Sequence, residues 1–175
     1  MGSSVGKTLL WIWLRRDLPK IEGDFGIDLA GGSMGNKRFF ATRKYLSVDI
    51  NKEKLDSGKS KNFDALIEIC DIETFLQTNN NKPDVMLCVQ TMGTNEYFEH
   101  DKTEKVIKLM YDHLKPHGSM LFNIGSYNIR DFHFLKKNLL SYFDDKFESI
   151  EAKFYGALHV TKKKSMNPLI RLFLA

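Results

Sequence analysis

Between residues 25 and 125 the chain alternates short apolar runs with longer polar segments of helical character. That pattern constrains the fold more than any other feature of the sequence. Continuous apolar runs suit strands buried on both faces, and the segments between them supply the crossovers that parallel strands require. The runs place strands near 25–30, 44–50, 64–70, 84–89 and 119–125, an α/β arrangement with helices packed against the sheet. A helix is expected over 102–114, with Asp101 as its N-cap, Val106, Leu109, Met110 and Leu114 on one face, and Pro116 and Gly118 closing it. A second covers 129–143, and residues 5–18 read as an amphipathic lead-in helix stopped by Pro19. The polar stretch 52–62, which contains Gly58, reads as a loop or one short turn. Residues 147–155 and 169–174 read as two strands with no helix between them, and are therefore antiparallel.

A length of 175 residues fits one domain, divided into a lead-in at 1–20, a core at 24–125, and a helix with a terminal strand pair at 126–175. With 42% hydrophobic and 27% charged residues, whole-chain disorder, collagen and coiled coil are excluded. The net charge of +4 comes from basic residues interleaved with acids, which does not announce a nucleic-acid protein. No apolar run approaches the roughly 20 residues of a membrane span, and Arg15 and Arg16 follow the first apolar run, the reverse of a secretory signal. Cys70 and Cys88 sit inside apolar runs, as buried free thiols do, which points to the reducing cytoplasm. Gly2 to Thr8 mimics a phosphate loop, but lacks the preceding strand and the required glycine spacing. His113, His117, His133 and His159 show no paired spacing for a metal site.

The run Phe25-Gly26-Ile27-Asp28-Leu29-Ala30-Gly31-Gly32-Ser33-Met34-Gly35 is an apolar strand that ends in an acid and passes into small residues. Small residues let a ligand approach the backbone, and a helix N-terminus beyond them would offer unpaired N–H groups. Asp49, followed by Ile50, ends the next strand where an acid of a doubly wound fold accepts ribose hydroxyls. Asp71 and Ile72 follow the third strand, suited to an adenine amino group and its ring. Gln90 and Thr91 follow the fourth, at the topological switch point.

On these residues the chain resembles the class I S-adenosylmethionine-dependent methyltransferases. Asp28-Leu29-Ala30-Gly31-Gly32 is similar to that family's glycine-rich first motif, Asp49 to its ribose acid, Asp71 to its adenine-loop acid, and Leu114-Lys115-Pro116-His117-Gly118 to its turn before the fifth strand. The resemblance spans about residues 24–125 and implies a seven-stranded sheet of order 3-2-1-4-5-7-6. It implies S-adenosylmethionine as cofactor, contacted by Asp28, Ala30, Gly31 and Gly32 in the turn, by Asp49 and Ile50, by Asp71 and Ile72, and by Gln90 and Thr91. The family usually has glycine where this chain has Ala30 and Met34.

Methyl transfer needs alignment more than acid–base chemistry, because the sulfonium is already activated. His100 and Tyr97 are the candidates for a general base, and Lys162-Lys163-Lys164, placed between the last two strands, would rim the mouth for an acidic substrate. The expected acceptor is an oxygen or nitrogen of a small molecule such as a sugar or acidic metabolite, with RNA as the alternative. Two other readings stand beside it: a nicotinamide site on Ala30-x-Gly32-x-x-Gly35, and a non-catalytic module that binds a protein partner or a second copy.

Overall fold

In the computed structural model, the structure describes residues 4–91, 100–123, 137, 147–153 and 157–162. Helix α1 (Ser4–Asp17) leads through a turn of 3-10 helix at Leu18–Lys20 into strand β1 (Glu22–Leu29). Then follow β2 (Ala41–Asp49), α2 (Lys52–Lys59), β3 (Leu66–Ile69), α3 (Ile72–Thr78), β4 (Val85–Cys88), α4 (His100–His113) and β5 (Ser119–Asn123). The last described strands are β6 (Phe147–Lys153) and β7 (Ala157–Lys162). One sheet holds all seven in the order β3-β2-β1-β4-β5-β7-β6. The first five are parallel, and β7 runs antiparallel to both β5 and β6.

Alternation along the strands explains the layers. Met86 and Cys88 of β4, with Met120 and Phe122 of β5, face a core filled by Phe75 of α3 and by Val106, Ile107 and Met110 of α4. Val85 and Leu87, with Leu121, face the other side, where Trp13 and Leu14 of α1 and Leu18 cover them. Period two in the strands meets period 3.6 in the helices, so these apolar side chains of β4 and β5 meet apolar side chains of the helices on both faces of the sheet. Among the described residues no helix is long and apolar enough to cross a membrane.

The edge formed by the amino ends of the parallel strands is tied down by side chains. Asp84, just before β4, accepts the main-chain N–H groups of Asp24 (2.8 Å) and Phe25 (2.9 Å) and the Lys115 ammonium (2.9 Å). Lys162, at the end of β7, donates to the carbonyls of Tyr111, Asp112 and Leu114, where α4 leaves carbonyls without helical partners.

Several expectations need correction. Residues 52–59 form a full helix, capped by Asn51, whose side chain accepts the Lys54 N–H. Gly58 is there because α2 lies against the β1–β2 connection: a Cβ on it would stand 2.8 Å from both the Ser33 carbonyl carbon and Met34 Cγ. The connection after β1 is a series of turns and one 3-10 turn (Lys37–Phe39), so it offers no α-helix N-terminus. Residues 30–40 are too few for an ordinary crossover helix. Helix α4 begins at His100, which puts Asp101 inside the helix instead of at its cap. The strand paired with β6 is 157–162, and the expected strand at 169–174 and helix over 129–143 lie outside the described residues, apart from residue 137, which is helical.

Candidate functional site

Register brings the carboxyl ends of β1, β2, β4 and β5 to one edge of the sheet: Leu29 lies beside Val48 and Cys88, and Cys88 beside Phe122. At that edge the chain leaves β1 through Ala30 (φ 55), Gly32 (φ 50) and Met34 (φ 60), three residues in the left-handed region. Two of them carry side chains that this conformation disfavours. Tertiary bonds hold the turn in place. Gly31 N–H donates to the Val48 carbonyl (3.2 Å), Gly32 N–H to Asp49 Oδ2 (2.9 Å), and Met34 N–H to the Gly31 carbonyl (2.9 Å). Met34 does not reach toward the turn's outer surface. It is buried with Tyr45, Leu55 and Ala65, so its side chain anchors the turn to α2 and β2.

Under the turn lies Asp28, wholly buried. Its carboxylate accepts the Tyr45 hydroxyl (2.8 Å) and the Asn36 side-chain amide (3.2 and 3.3 Å). Burial pushes its carboxyl up to about 7, against the pull of those two donors, and the nearby Asp49 adds to the rise. Burial, then the Asp28 charge, also pushes the Tyr45 phenol up, which keeps it a donor. Gly31 sits directly on this cluster, and a Cβ there would meet Ser47 Oγ and stand 2.9 Å from Asp28 Oδ2.

Asp49 ends β2 half-buried, with Oδ2 on the turn and Oδ1 accepting the Asn51 N–H (2.8 Å). Each oxygen keeps a second lone pair for a ligand hydroxyl. Beside it Ile50 is 64% exposed, a large apolar side chain left in water. Gln90 follows β4 with φ 61, and its N–H donates to Asn123 Oδ1 (2.8 Å) at the end of β5. Thr91 Oγ1 donates to the Val89 carbonyl (3.3 Å).

No family model matches the chain, and no curated protein matches it. Solved structures do. The N-methyltransferase NodS from Bradyrhizobium japonicum superposes with a TM-score of 0.66 at 10% identity, over 94% of this chain and 100% of that one. An O-methyltransferase family protein from Burkholderia thailandensis gives 0.68 at 13% identity, over 93% of this chain and 57% of that one. An rRNA methylase from Streptococcus thermophilus gives 0.58 at 12% identity, over 95% and 99%. This chain has the class I methyltransferase fold.

Within that methyltransferase fold the residues singled out from sequence fall into two groups. Asp28, Ala30, Gly31, Gly32, Asp49 and Ile50 lie together at the turn, with Gln90 and Thr91 farther along the same edge. Asp71 and Ile72 are engaged differently. Asp71 caps α3, and hydrogen bonds from Thr74 hold its carboxyl below the usual range, while Ile72 is buried in the core beside Phe75 and Leu76. Tyr97 lies outside the described residues, and His100 is the first residue of α4. Of the basic run, Lys162 closes β7 beside the Gly118 carbonyl, at the amino edge and away from the turn, and Lys163 and Lys164 lie outside the described residues.

Sequence reading missed Asn36, Tyr45 and Asn123. Tyr45 had a signal, since it shares with Ser47 the face of β2 opposite Leu46 and Val48, where a tyrosine hydroxyl needs a partner. Asn36 and Asn123 had none, because their partners are set by the fold alone. Among the described residues no group of three or more His, Cys, Asp or Glu is placed to hold a metal ion.

Proposed function

We propose that this chain transfers the methyl group of S-adenosylmethionine to an oxygen or nitrogen of a small molecule. The observation that carries the reading is the Asp49 carboxylate, tied to the Gly32 N–H at 2.9 Å with lone pairs to spare, at the end of the strand beside a bare turn. The residues fit such a cofactor. Gly32 has nothing nearer than 3.7 Å to where a side chain would begin, so a ligand can approach its backbone, and exposed Ile50 offers an apolar surface for a flat ring. Asp49 would accept the ribose hydroxyls, and the Gly31-Gly32 backbone would take the amino-acid portion. When bound, the cofactor supplies an activated methyl carbon. The chain's own task is then to align the acceptor atom with that carbon and exclude water.

NodS has also been solved with S-adenosyl-L-homocysteine, which supports the cofactor assignment by analogy. The names of the three neighbours cover N-methyl, O-methyl and rRNA methyl transfer, so likeness of fold leaves the acceptor open. Lys162, bound at the amino edge, gives no support to an acidic one.

Calorimetric titration with S-adenosylmethionine, its demethylated product and NAD tests the proposal. Micromolar binding of the methyl-donor pair, weakened by roughly 1–3 kcal/mol in Asp49→Ala, is the expected result. NAD binding alone would mean a dinucleotide site. Binding of none would leave a partner-binding module, and strongly salt-dependent RNA binding would replace the small-molecule acceptor.

A further inference from the structure

Four non-glycine residues in the described chain have positive φ: Ala30, Met34, Gln90 and His117. Ala30 and Met34 belong to the glycine turn, and His117 closes the turn after α4, where its N–H donates to the Lys162 carbonyl (2.9 Å). Gln90 (φ 61) stands apart. It is exposed and lies two residues past the end of β4, outside the described helices and strands. A side chain in this region costs energy that a surrounding structure must offset, and such points gather at binding sites.

The offset comes from Asn123. The β4–β5 ladder is in register through Cys88 and Phe122, so continuing it would place Val89 opposite Asn123. Instead the left-handed turn takes the chain off the ladder, and Gln90 N–H meets the Asn123 side chain at 2.8 Å. The donor is a main-chain N–H, so the accepting atom must be Oδ1, which fixes the amide's orientation and leaves its two N–H hydrogens for other use. Asn123 is half-buried and ends β5, so one side chain closes the edge between β4 and β5, next to the switch point that lies between β1 and β4.

We propose that Asn123 is a positioning residue of the methyl-transfer site, which holds Gln90 and Thr91 in the conformation that receives the cofactor. This rests on the proposed function, since it takes the end of β4 as part of the cofactor site. Asn123 acts through the Gln90 main chain. Any side chain that keeps a carbonyl-like acceptor at that distance should therefore serve, and one without it should not.

The test uses the full chain, S-adenosylhomocysteine titration by calorimetry, and hydrogen exchange of the Gln90 amide by NMR at pH 8. In Asn123→Ala the Gln90 amide should lose protection and affinity should fall about tenfold, the worth of one hydrogen bond of ordinary strength. Asn123→Asp, which keeps an acceptor oxygen, should restore both. Should the alanine variant fail to fold, Asn123→Ser, whose hydroxyl falls short of the amide, carries the same expectation. Unchanged affinity in a variant that has lost Gln90 protection would overturn the inference and leave the bond merely structural, as would failure of Asn123→Asp to rescue. A wild-type chain that binds no S-adenosylhomocysteine would instead overturn the proposed function, and the positioning role with it.

Discussion

Asp28 and Asp84 are both carboxylates at ends of the central strands, and the fold treats them in opposite ways. Asp84, at the amino edge, is one-quarter exposed. Burial raises its carboxyl, but the Lys115 ammonium and the N–H groups of Phe25 and Asp24 outweigh that and hold it below the usual range. Asp28, at the carboxyl edge, is sealed under the turn with two neutral donors and no cation, and burial wins. The amino edge is thus built for stability, and the carboxyl edge gives some of it up. Three of the four left-handed side-chain-bearing residues lie on that second edge as well. Local strain and a poorly solvated acid collected at one end of a sheet mark the end that was shaped by something other than stability.

The largest expected effect separating the two acids is in the pH dependence of unfolding. Asp28 has its folded carboxyl at about 7 against 3.8 for the ordinary group, so between those values the folded state holds a proton that the unfolded state has lost. Its contribution is therefore complete below 3.8 and is lost as pH rises to 7, on the order of 4 kcal/mol in all. Asp84 slopes the other way: its contribution is present above 3.8 and is lost as pH falls through its lowered folded value. Urea unfolding at a series of pH values should show Asp28→Asn without the loss between 4 and 7 that the wild type suffers. An unchanged slope would mean that Asp28 is not the group responsible.

Next in size is the amino edge itself. Asp84→Ala strips two main-chain amides and Lys115 of their shared acceptor, and should cost about 3 kcal/mol in urea unfolding, discounted for partial exposure. Affinity for S-adenosylhomocysteine in the same variant should stay within about threefold of wild type, a change worth less than 1 kcal/mol. A large loss of affinity would erase the division of labour between the edges. The smallest effect is expected at Ala30. Its φ of 55 suits glycine, and Ala30→Gly should stabilise the chain by about 0.5 kcal/mol, with relief of strain partly cancelled by the freer unfolded chain. Destabilisation would show that the Ala30 methyl packs usefully against the core it borders.

The sheet was legible in the sequence because β1, β2, β4 and β5 carry buried runs whose character needs no tertiary context. Where long-range pairing decides, legibility ended. Residues 157–162 include a histidine, a threonine and a lysine and look less like a strand than the apolar run at 169–174, yet pairing of Val160 with Met120 and Ile150 places them in the sheet. That displacement also carried Lys162 to the wrong edge. Gly58 misled for a related reason: glycine weakens a helix in isolation, but here its lack of a side chain is what lets α2 approach Ser33 and Met34. At the candidate site, the meeting of Asp49 with the small residues of the turn was readable from position along the chain. Asn36 and Asn123 were not, because a single amide bonded to a partner 8 or 33 residues away leaves no pattern.

Ile50, left 64% exposed beside Asp49, has a calorimetric consequence. Water ordered around an apolar side chain raises the heat capacity of the free protein, and a flat ring laid over that side chain would release it. Binding measured at several temperatures should therefore grow more exothermic on warming, and Ile50→Ser should flatten that trend while leaving the polar contacts of Asp49 in place.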